Sequence, residues 1–450
     1  MLRFGRSTAA GKGRRAGVVA GAVALALGVG VVGAGSASAA EPACGGGQIQ
    51  GQGSSLQGAA QTELWASANG GYNAVCGEKQ VQYTVSSSGK GLTAWGFKGG
   101  TFDKTYGFVG TDDAPNATQI TAAKTASGTN ILTIPVAQTA IALPVNPPTN
   151  CTLTEITNKQ LEGVMRGTIK VWSKIQTAVG AGCTNAPITR VVRTEGSGTT
   201  FQTKNYLSKI SEASLTCLPA SVKTPTWKGL EEIGAGEEPN IIWPENSAAS
   251  GCTNVVSEVV RGAGGGGVVK KVNVTEGSIG YAALPDVEKN KNKGENPNGD
   301  TNWIKIQDNG VSNKLSVAKF ASPLEASANA ANCFEAQYPV PTSAQVGAAN
   351  PANADWSQIF GANTNAAAVS PGAYPLCTLT YVEALTEYSK AGFTLASETT
   401  AQDYIANYLT AEGGQEQLEV GGKWYAPLPE GTKSFNVIGA AQYAASKIAF

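Results

Sequence analysis

The sequence predicts an α/β protein built as two lobes. Short runs rich in β-branched residues alternate with segments of helical periodicity, which is typical of largely parallel sheets covered by helices. The chain has 450 residues, more than a single domain usually holds, and this length favours two lobes. Loops rich in glycine and serine precede several of the predicted helices, and we expect them to form a ligand site between the lobes.

The individual elements are predicted from the same patterns. Strands are predicted where Val, Ile and Thr are frequent, over residues 81–85, 131–137, 139–145 and 188–193. Another strand is predicted to end at residues 110–115. Helices are predicted over residues 58–68, 154–165, 201–210, 253–261 and 401–411. The sequence predicts a flexible turn or insert at residues 261–267 (RGAGGGG) and loops at residues 286–302 and 341–375.

Residues 1–40 have the pattern of a cleavable export signal. Five basic residues precede an apolar stretch, and Ala37-Ser38-Ala39 is a small-residue cleavage pattern. An uncleaved membrane anchor is the alternative, because the apolar stretch is nearly long enough to span a bilayer. We expect an exported protein that is periplasmic, held at the cell surface or secreted. Cys44 follows Glu41-Pro42-Ala43, which is a poor match to a lipid-attachment signal.

The charge balance argues against nucleic acid as a partner. The chain carries 33 basic and 33 acidic side chains, and the export segment holds five of the basic ones and none of the acidic ones. The remaining chain is therefore mildly acidic, whereas binding to a phosphate backbone requires a basic surface. A small anion remains compatible with this composition, because local dipoles can hold it.

The cysteine and histidine counts narrow the function further. An even number of cysteines, eight, follows the export segment and predicts four disulfides. Proximity suggests the pairs 44–76, 151–183, 217–252 and 333–377, although the sequence alone leaves other pairings open. A metal site is disfavoured because the chain has no Cys-x-x-Cys pair. The chain has no histidine, which excludes Ser-His-Asp catalysis, Cys-His catalysis and histidine-ligated metals.

Residues 193–201, RTEGSGTTF, form the most informative segment. They join a predicted strand to a predicted helix, and such a junction presents free backbone N–H groups and the positive end of a helix dipole to an anion. Ser197 and Thr199 add hydroxyl groups, and Arg193 can hold an oxyanion through two N–H groups. A capped helix start without a ligand is the alternative. A catalytic elbow is excluded, because Glu195 stands where Gly-x-Ser-x-Gly needs glycine.

Three more loops have a suitable composition. Residues 51–56 (GQGSSL) and 86–92 (SSSGKGL) are rich in glycine and serine, and residues 110–115 (GTDDAP) end a predicted strand. Each loop alone predicts only a turn, and for Asp112 we expect an Asx turn before the proline. Together with residues 193–201, these loops predict helix N-termini that converge from two lobes on one anion.

In this order the loops resemble those of the phosphate-binding protein of Pst-type ABC transporters, which has the type 2 periplasmic-binding-protein fold. Residues 193–201 resemble the family's Arg-x-Asp-Gly-Ser-Gly-Thr, the most specific of the motifs. Residues 51–56 resemble Gly-Ala-Gly-Ala-Thr-Phe, residues 108–115 contain a segment similar to Gly-Ala-Ser-Asp-Ala-Pro, and residues 275–281 resemble Pro-Gly-Ser-Ile-Gly-Tyr. The likeness runs from residue 51 to about residue 281 and resumes more weakly towards the C-terminus.

The resemblance implies a ligand, a partner and a set of contacts. The ligand would be inorganic phosphate, captured for an ABC permease in the membrane, with no cofactor, no metal and no chemistry on the ligand. We predict a monomer whose first lobe comprises residues 44–138 with 283–450 and whose second comprises 139–282, with crossovers near 136–140 and 281–283. The contacts implied by the resemblance are Ser55, Leu56, Ser88, Asp113, Arg193, Ser197, Gly198 and Thr199.

Asp113 would accept the ligand's own proton. Phosphate keeps a proton at neutral pH and sulfate does not, so a carboxylate beside the ligand favours phosphate. The sequence departs from the family at Ser55-Leu56, where the family has Thr-Phe, and at Glu195, where it has Asp. These changes bear on the identity of the anion more than on the fold.

Two alternative functions stay open. One is a secreted or cell-surface anion-binding or sensory protein of the same fold that serves no transporter. The other is a phosphatase, which is less favoured because the sequence shows neither histidine nor a clear cluster of metal-binding carboxylates.

Overall fold

The computed structural model describes residues 42, 44–290, 303–308, 315–325, 330–333, 336, 374–430 and 437–448. The predicted export signal lies outside the described residues, as do residues 291–302 and most of the predicted loop at 341–375. Within the described part of the chain, no helix combines the length and the apolar character needed to cross a membrane.

Twelve described strands form one curled sheet. Along its main path the strands are β2 (Val81–Val85), β1 (Ile49–Gly53), β3 (Phe108–Thr111), β12 (Cys377–Leu385), β4 (Ile131–Asn146), β8 (Ser278–Gly280), β6 (Thr189–Arg193) and β7 (Glu258–Gly262). The strands off this path are β5 (Glu155–Ile156), β9 (Ala282–Ala283), β10 (Trp303–Gln307) and β11 (Phe320–Ala321).

Strand β4 connects the two ends of this path. Residues 131–140 pair antiparallel with β12, and Val145 and Asn146 pair with β8. Every residue of β4 except Asn146 is buried, as expected for a strand covered on both faces. The sequence predicts two strands here, separated at Gln138. One strand forms instead, because the Gln138 side chain donates to the Pro427 carbonyl and is satisfied inside the protein.

Both ends of the sheet contain parallel strands followed by helices. Strand β1 pairs in parallel with β2 and β3, and β6 pairs in parallel with β7 and β8. The helices that follow these strands are α2 (Ser88–Ala94) after β2, α3 (Ala117–Ser127) after β3, α5 (Gly198–Ile210) after β6 and α6 (Gly264–Val274) after β7. In open α/β sheets, ligands bind at the carboxyl ends of such strands.

The remaining described helices cover the sheet. They are α1 (Tyr72–Cys76), α4 (Asn158–Arg166), α7 (Leu284–Asn290), α8 (Leu395–Tyr408), α9 (Glu416–Val420) and α10 (Val437–Ala445). A π-helical segment, Ala60–Trp65, lies within the helix predicted at 58–68. Large aromatic side chains in the core include Trp65, which stacks on Tyr408 with a ring-centroid distance of 4.5 Å.

Three predictions about segments near the C-terminal side of β6 are wrong. Residues 258–261 of the helix predicted over residues 253–261 belong instead to strand β7, since Val259 and Val260 are β-branched and pair in register with β6. The RGAGGGG segment is not a flexible insert, because helix α6 begins inside it at Gly264. Glycine is needed there for close packing: a Cβ on Gly262 would lie 2.6 Å from backbone atoms of Gly267. Residues 286–290, predicted as loop, also form the end of α7.

All four disulfides join the predicted sequence neighbours. The pairs are Cys44–Cys76, Cys151–Cys183, Cys217–Cys252 and Cys333–Cys377, with S–S distances of 1.96–2.08 Å. The sulfur of Cys44 is therefore bonded to Cys76 in this structure, in agreement with the poor lipid-attachment signal around it.

Candidate functional site

The loops that follow β1, β2, β3 and β6 meet at one place. We call this place the loop cluster and define it by six residues, Ser54, Ser55, Ser88, Asp112, Arg193 and Gly198. Ser55 Oγ lies 3.5 Å from Nη1 of Arg193. Ser88 Oγ accepts the N–H of Asp112 at 3.1 Å. A Cβ on Gly198 would lie 2.7 Å from Ser88 Oγ, so segments more than a hundred residues apart are in contact.

Asp112 is the centre of a network of hydroxyl groups. Its carboxylate accepts hydrogen bonds from Ser54 Oγ at 2.5 Å, from Thr380 Oγ1 at 2.7 Å and from Ser88 Oγ at 3.4 Å. Burial raises the pKa of Asp112, and the hydrogen bonds from Ser54 and Thr380, together with the charge of Arg193, oppose that rise. The sequence predicts only an Asx turn at Asp112, because Thr380 is 268 residues away and gives no local signal.

Asp113 lies next to the loop cluster among other ionisable groups. Its backbone N–H donates to Thr111 Oγ1 at 3.0 Å. Burial raises the pKa of Asp113 well above its usual range, the carboxylates of Glu232 and Glu231 raise it further, and Lys98 and the backbone of Ile233 lower it. Its Oδ2 is buried and has no hydrogen-bond partner among the described residues, so this oxygen is able to accept a hydrogen from a ligand.

Arg193 is buried and surrounded by acidic groups. Only 2% of its side chain is exposed. Its Nε donates to Glu195 Oε1 at 2.6 Å, and its Nη2 contacts the same oxygen. The guanidinium charge also lowers the pKa of Asp112 and of Asp286, which burial raises. Glu195 thus forms an ion pair with the arginine.

Helix α5 begins at the loop cluster. Ser197 is its N-cap, since its Oγ accepts the N–H of Thr200 at 3.3 Å. The amides of Gly198 and Thr199 come first in this helix of 13 residues and have no intrahelical acceptor. They lie at the positive end of the helix dipole, where an anion is stabilised. The Gly89 N–H donates to the Gly196 carbonyl at 3.2 Å, which joins the loop after β2 to the loop after β6.

A buried lysine holds the start of α5 in place. The Lys204 ammonium group donates to the carbonyls of Leu230, Asn240 and Ile242 at 3.0, 2.5 and 2.7 Å. Asn240 in turn accepts the Ser197 N–H through Oδ1 at 2.9 Å. The N-cap is therefore fixed by contacts from a segment about forty residues further along the chain, which sequence patterns did not reveal.

Leu56 also lies at the loop cluster, and its amide already has a partner. Its N–H donates to Ser54 Oγ at 3.0 Å, and its carbonyl accepts from the Tyr425 hydroxyl at 2.6 Å. The side chain is 1% exposed. In this structure the amide that the resemblance assigns to the ligand is therefore bonded within the protein.

The start of helix α6 is a neighbour of the loop cluster that the sequence interpretation missed. The Gly264 N–H donates to Glu195 Oε1 at 3.0 Å, and the Gly265 N–H donates to Ser55 Oγ at 3.4 Å. The signal was present in the sequence: a β-branched run followed by glycines repeats the strand–glycine–helix pattern of residues 193–201. The glycine run was instead interpreted as flexible.

The groups gathered at the loop cluster are those that bind anions. They are hydroxyl groups, backbone amides at a helix start and a guanidinium. Among the residues that the structure describes, no group of three or more His, Cys, Asp or Glu side chains is placed to hold a metal ion.

Comparison with known proteins gives the fold family. A family model described as a PBP superfamily domain matches residues 38–412. PfluDING, a high affinity periplasmic phosphate-binding protein, shares 18% identity over 90% of this chain and 99% of its own, with a TM-score of 0.58. A human phosphate binding apolipoprotein shares 21% over 88% and 94%, with a TM-score of 0.60. A phosphate-binding protein from Stenotrophomonas maltophilia shares 17% over 88% and 93%, with a TM-score of 0.55.

A search of curated protein sequences finds no match. The family match and the solved structures confirm the predicted fold class, an α/β type 2 periplasmic-binding-protein fold.

Proposed function

The chain belongs to the PBP superfamily, and from this premise we propose that it is an extracytoplasmic solute-binding protein that captures inorganic phosphate at the loop cluster. The observation that carries the proposal is the contact between Ser55, Arg193 and the start of α5, which come from separate parts of the chain. The three solved structures named above are phosphate-binding proteins, which favours phosphate over other anions.

The contacts proposed for phosphate are those implied by the resemblance of the sequence to the Pst-type phosphate-binding proteins. Ser55 and Ser88 would donate hydroxyl hydrogens, and Arg193 would balance the charge of the anion. The amides of Gly198 and Thr199 would donate to the ligand at the start of α5, next to the N-cap Ser197. The Leu56 amide would give up its hydrogen bond to Ser54 Oγ and donate to the ligand instead. Asp113 would accept the hydrogen that phosphate retains, using the buried oxygen that lacks a partner.

We propose that this site lies between two lobes, residues 44–138 with 283–450 and residues 139–282. The main path of the sheet supports this division, because β2, β1, β3 and β12 lie on one side of β4 while β8, β6 and β7 lie on the other; β10 is the exception, since it pairs with β5 and with the later part of β4. The proposed crossing segments lie near residues 136–140 and 281–283, and Ala282 and Ala283 pair with Ala142 and Ile141, directly after the first of them. Closure of the lobes over the ligand would follow the usual hinge mechanism of such proteins.

Capture would serve uptake, with an ABC permease as the membrane partner and with no chemistry on the ligand. The superfamily and the three solved structures consist of binding proteins, which supports a role in binding. The protein would act outside the cytoplasm, in a periplasm, at the cell surface or in the medium, as the predicted export signal requires.

Calorimetry of the mature protein against phosphate, sulfate and molybdate tests the proposal. We expect phosphate to bind with one site per chain and sulfate to bind far more weakly. Arg193→Ala should lower phosphate affinity by about 100-fold or more, because a buried charged hydrogen-bond donor contributes about 3 kcal/mol.

Arg166→Ala is the matched control. Arg166 is also paired with a glutamate, Glu162, but has no contact with the loop cluster. This variant should bind phosphate as the unaltered protein does. Tight phosphate binding by Arg193→Ala would rule out the loop cluster as the site.

A further inference from the structure

We propose that Asp286 is a second proton-accepting carboxylate beside the loop cluster, so that the site takes phosphate in its doubly protonated form, dihydrogen phosphate. This inference rests on the proposed function, phosphate capture, and adds a residue and a protonation state that the family resemblance does not imply.

Asp286 reaches the loop cluster through the start of α6. It lies in the first turn of α7. Its Oδ2 is so close to Gly265 that a Cβ built there would lie 1.9 Å from this oxygen. The Gly265 N–H donates to Ser55 Oγ at 3.4 Å, and Ser55 Oγ lies 3.5 Å from Nη1 of Arg193. The carboxylate is therefore separated from two proposed ligand contacts by a single glycine.

One carboxylate oxygen of Asp286, Oδ2, is buried and has no hydrogen-bond partner among the described residues. A buried carboxylate oxygen without a partner is costly, and a hydrogen on the ligand would supply the missing bond. Asp113 also has a buried carboxylate oxygen without a partner among the described residues. Dihydrogen phosphate carries two hydrogens, one for each carboxylate.

Burial of Asp286 favours uptake of a proton, and the charges around it partly oppose that effect. The groups that face it are Arg193 and Lys289, which lower its pKa, and Asp112, which raises it, and the Tyr425 hydroxyl is also near. Burial is the largest influence and raises the pKa of Asp286 to about 7. Three carboxylates, those of Glu195, Asp112 and Asp286, already surround Arg193, so a doubly charged anion would add repulsion that an extra proton relieves.

The proton balance of binding follows from this arrangement. At about pH 8, free phosphate is mostly the dianion and Asp286 is mostly ionised, because the pH is above its pKa. Binding would then take up about one proton from solvent, shared between the ligand oxygen and Oδ2 of Asp286. At about pH 6, free phosphate and Asp286 each carry a proton, whereas the complex holds only one proton between them, so binding should release about one proton.

Calorimetry of the mature protein with inorganic phosphate, at about pH 8 in two buffers of different ionisation enthalpy, measures this proton uptake. We expect about one proton per phosphate for the unaltered protein and about one fewer for Asp286→Asn. Asp103→Asn is the matched control, because Asp103 is exposed and bonds only locally, to the Thr105 N–H. It should match the unaltered protein.

Three results would overturn the inference in distinguishable ways. Equal proton uptake by the unaltered protein and Asp286→Asn refutes the role of Asp286 and leaves phosphate capture intact. A proton exchange on binding that is the same at about pH 8 and about pH 6 for the unaltered protein does the same without any variant. If the unaltered protein binds no phosphate, both this inference and the proposed function fail.

Discussion

We propose that Asp113 allows one carboxylate to distinguish two anions of the same shape. Its buried Oδ2 has no partner among the described residues, so an ionised Asp113 can accept a hydrogen from phosphate but repels sulfate. Burial raises the pKa of Asp113 well above its usual range. The proposed discrimination would therefore depend on a group that is ionised only when the pH lies above that raised value.

The preference for phosphate over sulfate should narrow as the pH falls. Above its raised pKa, Asp113 is ionised and accepts; below it, the protonated acid donates to sulfate as readily as to phosphate. Asp113→Asn, which donates at every pH, should narrow the preference and remove its pH dependence. The ratio of the two affinities, measured by calorimetry across this pH range, tests the expectation. A ratio that Asp113→Asn leaves unchanged would contradict it.

Local sequence patterns identified some of the residues at the loop cluster and missed others. Ser55, Ser88 and Arg193 were predicted to meet because each lies at or just after a strand end, in or beside a glycine- or serine-rich loop. The structure brings their segments together, and their role as ligand contacts stays a prediction. Thr380 and Asp286 do not lie in a glycine- or serine-rich loop: Thr380 is within β12 and Asp286 is within α7. Their position depends on the register of β12 and on the packing of α7, which no short motif encodes.

Among the elements, helix α6 shows why a glycine run can be structural. Gly265 lies between the start of this helix and Asp286, and any side chain there would enter the space of the carboxylate. The pattern of the sequence predicts flexibility because glycine has high conformational freedom. In the folded protein, the same lack of a side chain permits close packing of α6 against α7.

Gly265→Ala should therefore weaken phosphate binding by displacing the Asp286 carboxylate, whose Oδ2 would lie 1.9 Å from the new Cβ. Gly267→Ala is the matched control in the same helix, because its Cβ would have no neighbour closer than 3.4 Å. That variant should keep its affinity and gain up to about 1 kcal/mol in the free energy of unfolding from helix propensity. Calorimetry and denaturant unfolding of both variants test this pair. Equal phosphate affinities of Gly265→Ala and Gly267→Ala would show that the space between Gly265 and Asp286 does not affect phosphate binding.

The elements around the loop cluster were predictable to different degrees. The strand predicted at 188–193 and the helix predicted at 201–210 correspond to β6 and α5, because β-branched clustering and an N-cap serine are strong local signals. Strand β7 was not predicted, since its pairing with β6 and not its own periodicity decides its conformation.

On the scale of the whole molecule, each disulfide cross-links a different stretch of the chain. Each joins cysteines 32 to 44 residues apart, and Cys217–Cys252 closes a loop of 35 residues. Replacing both Cys217 and Cys252 by serine should lower the free energy of unfolding by about 3–4 kcal/mol, because the unfolded chain gains freedom. Denaturant unfolding measures the loss, and phosphate affinity should persist because this disulfide is not among the loop-cluster contacts. An unchanged unfolding free energy would refute the stabilising role.

Under the proposed division into two lobes, Ile141 and Ala142 directly follow one crossing segment and pair with Ala283 and Ala282 of the other, so that the two crossings would be joined edge to edge. A single connecting strand would let the lobes bend and twist in any direction. Two connecting strands that are paired edge to edge would allow rotation of the lobes about one hinge axis and would resist rotation about other axes. Each closing swing would then return the lobes to the same alignment, so that donors carried by different lobes face a small guest in the same way every time.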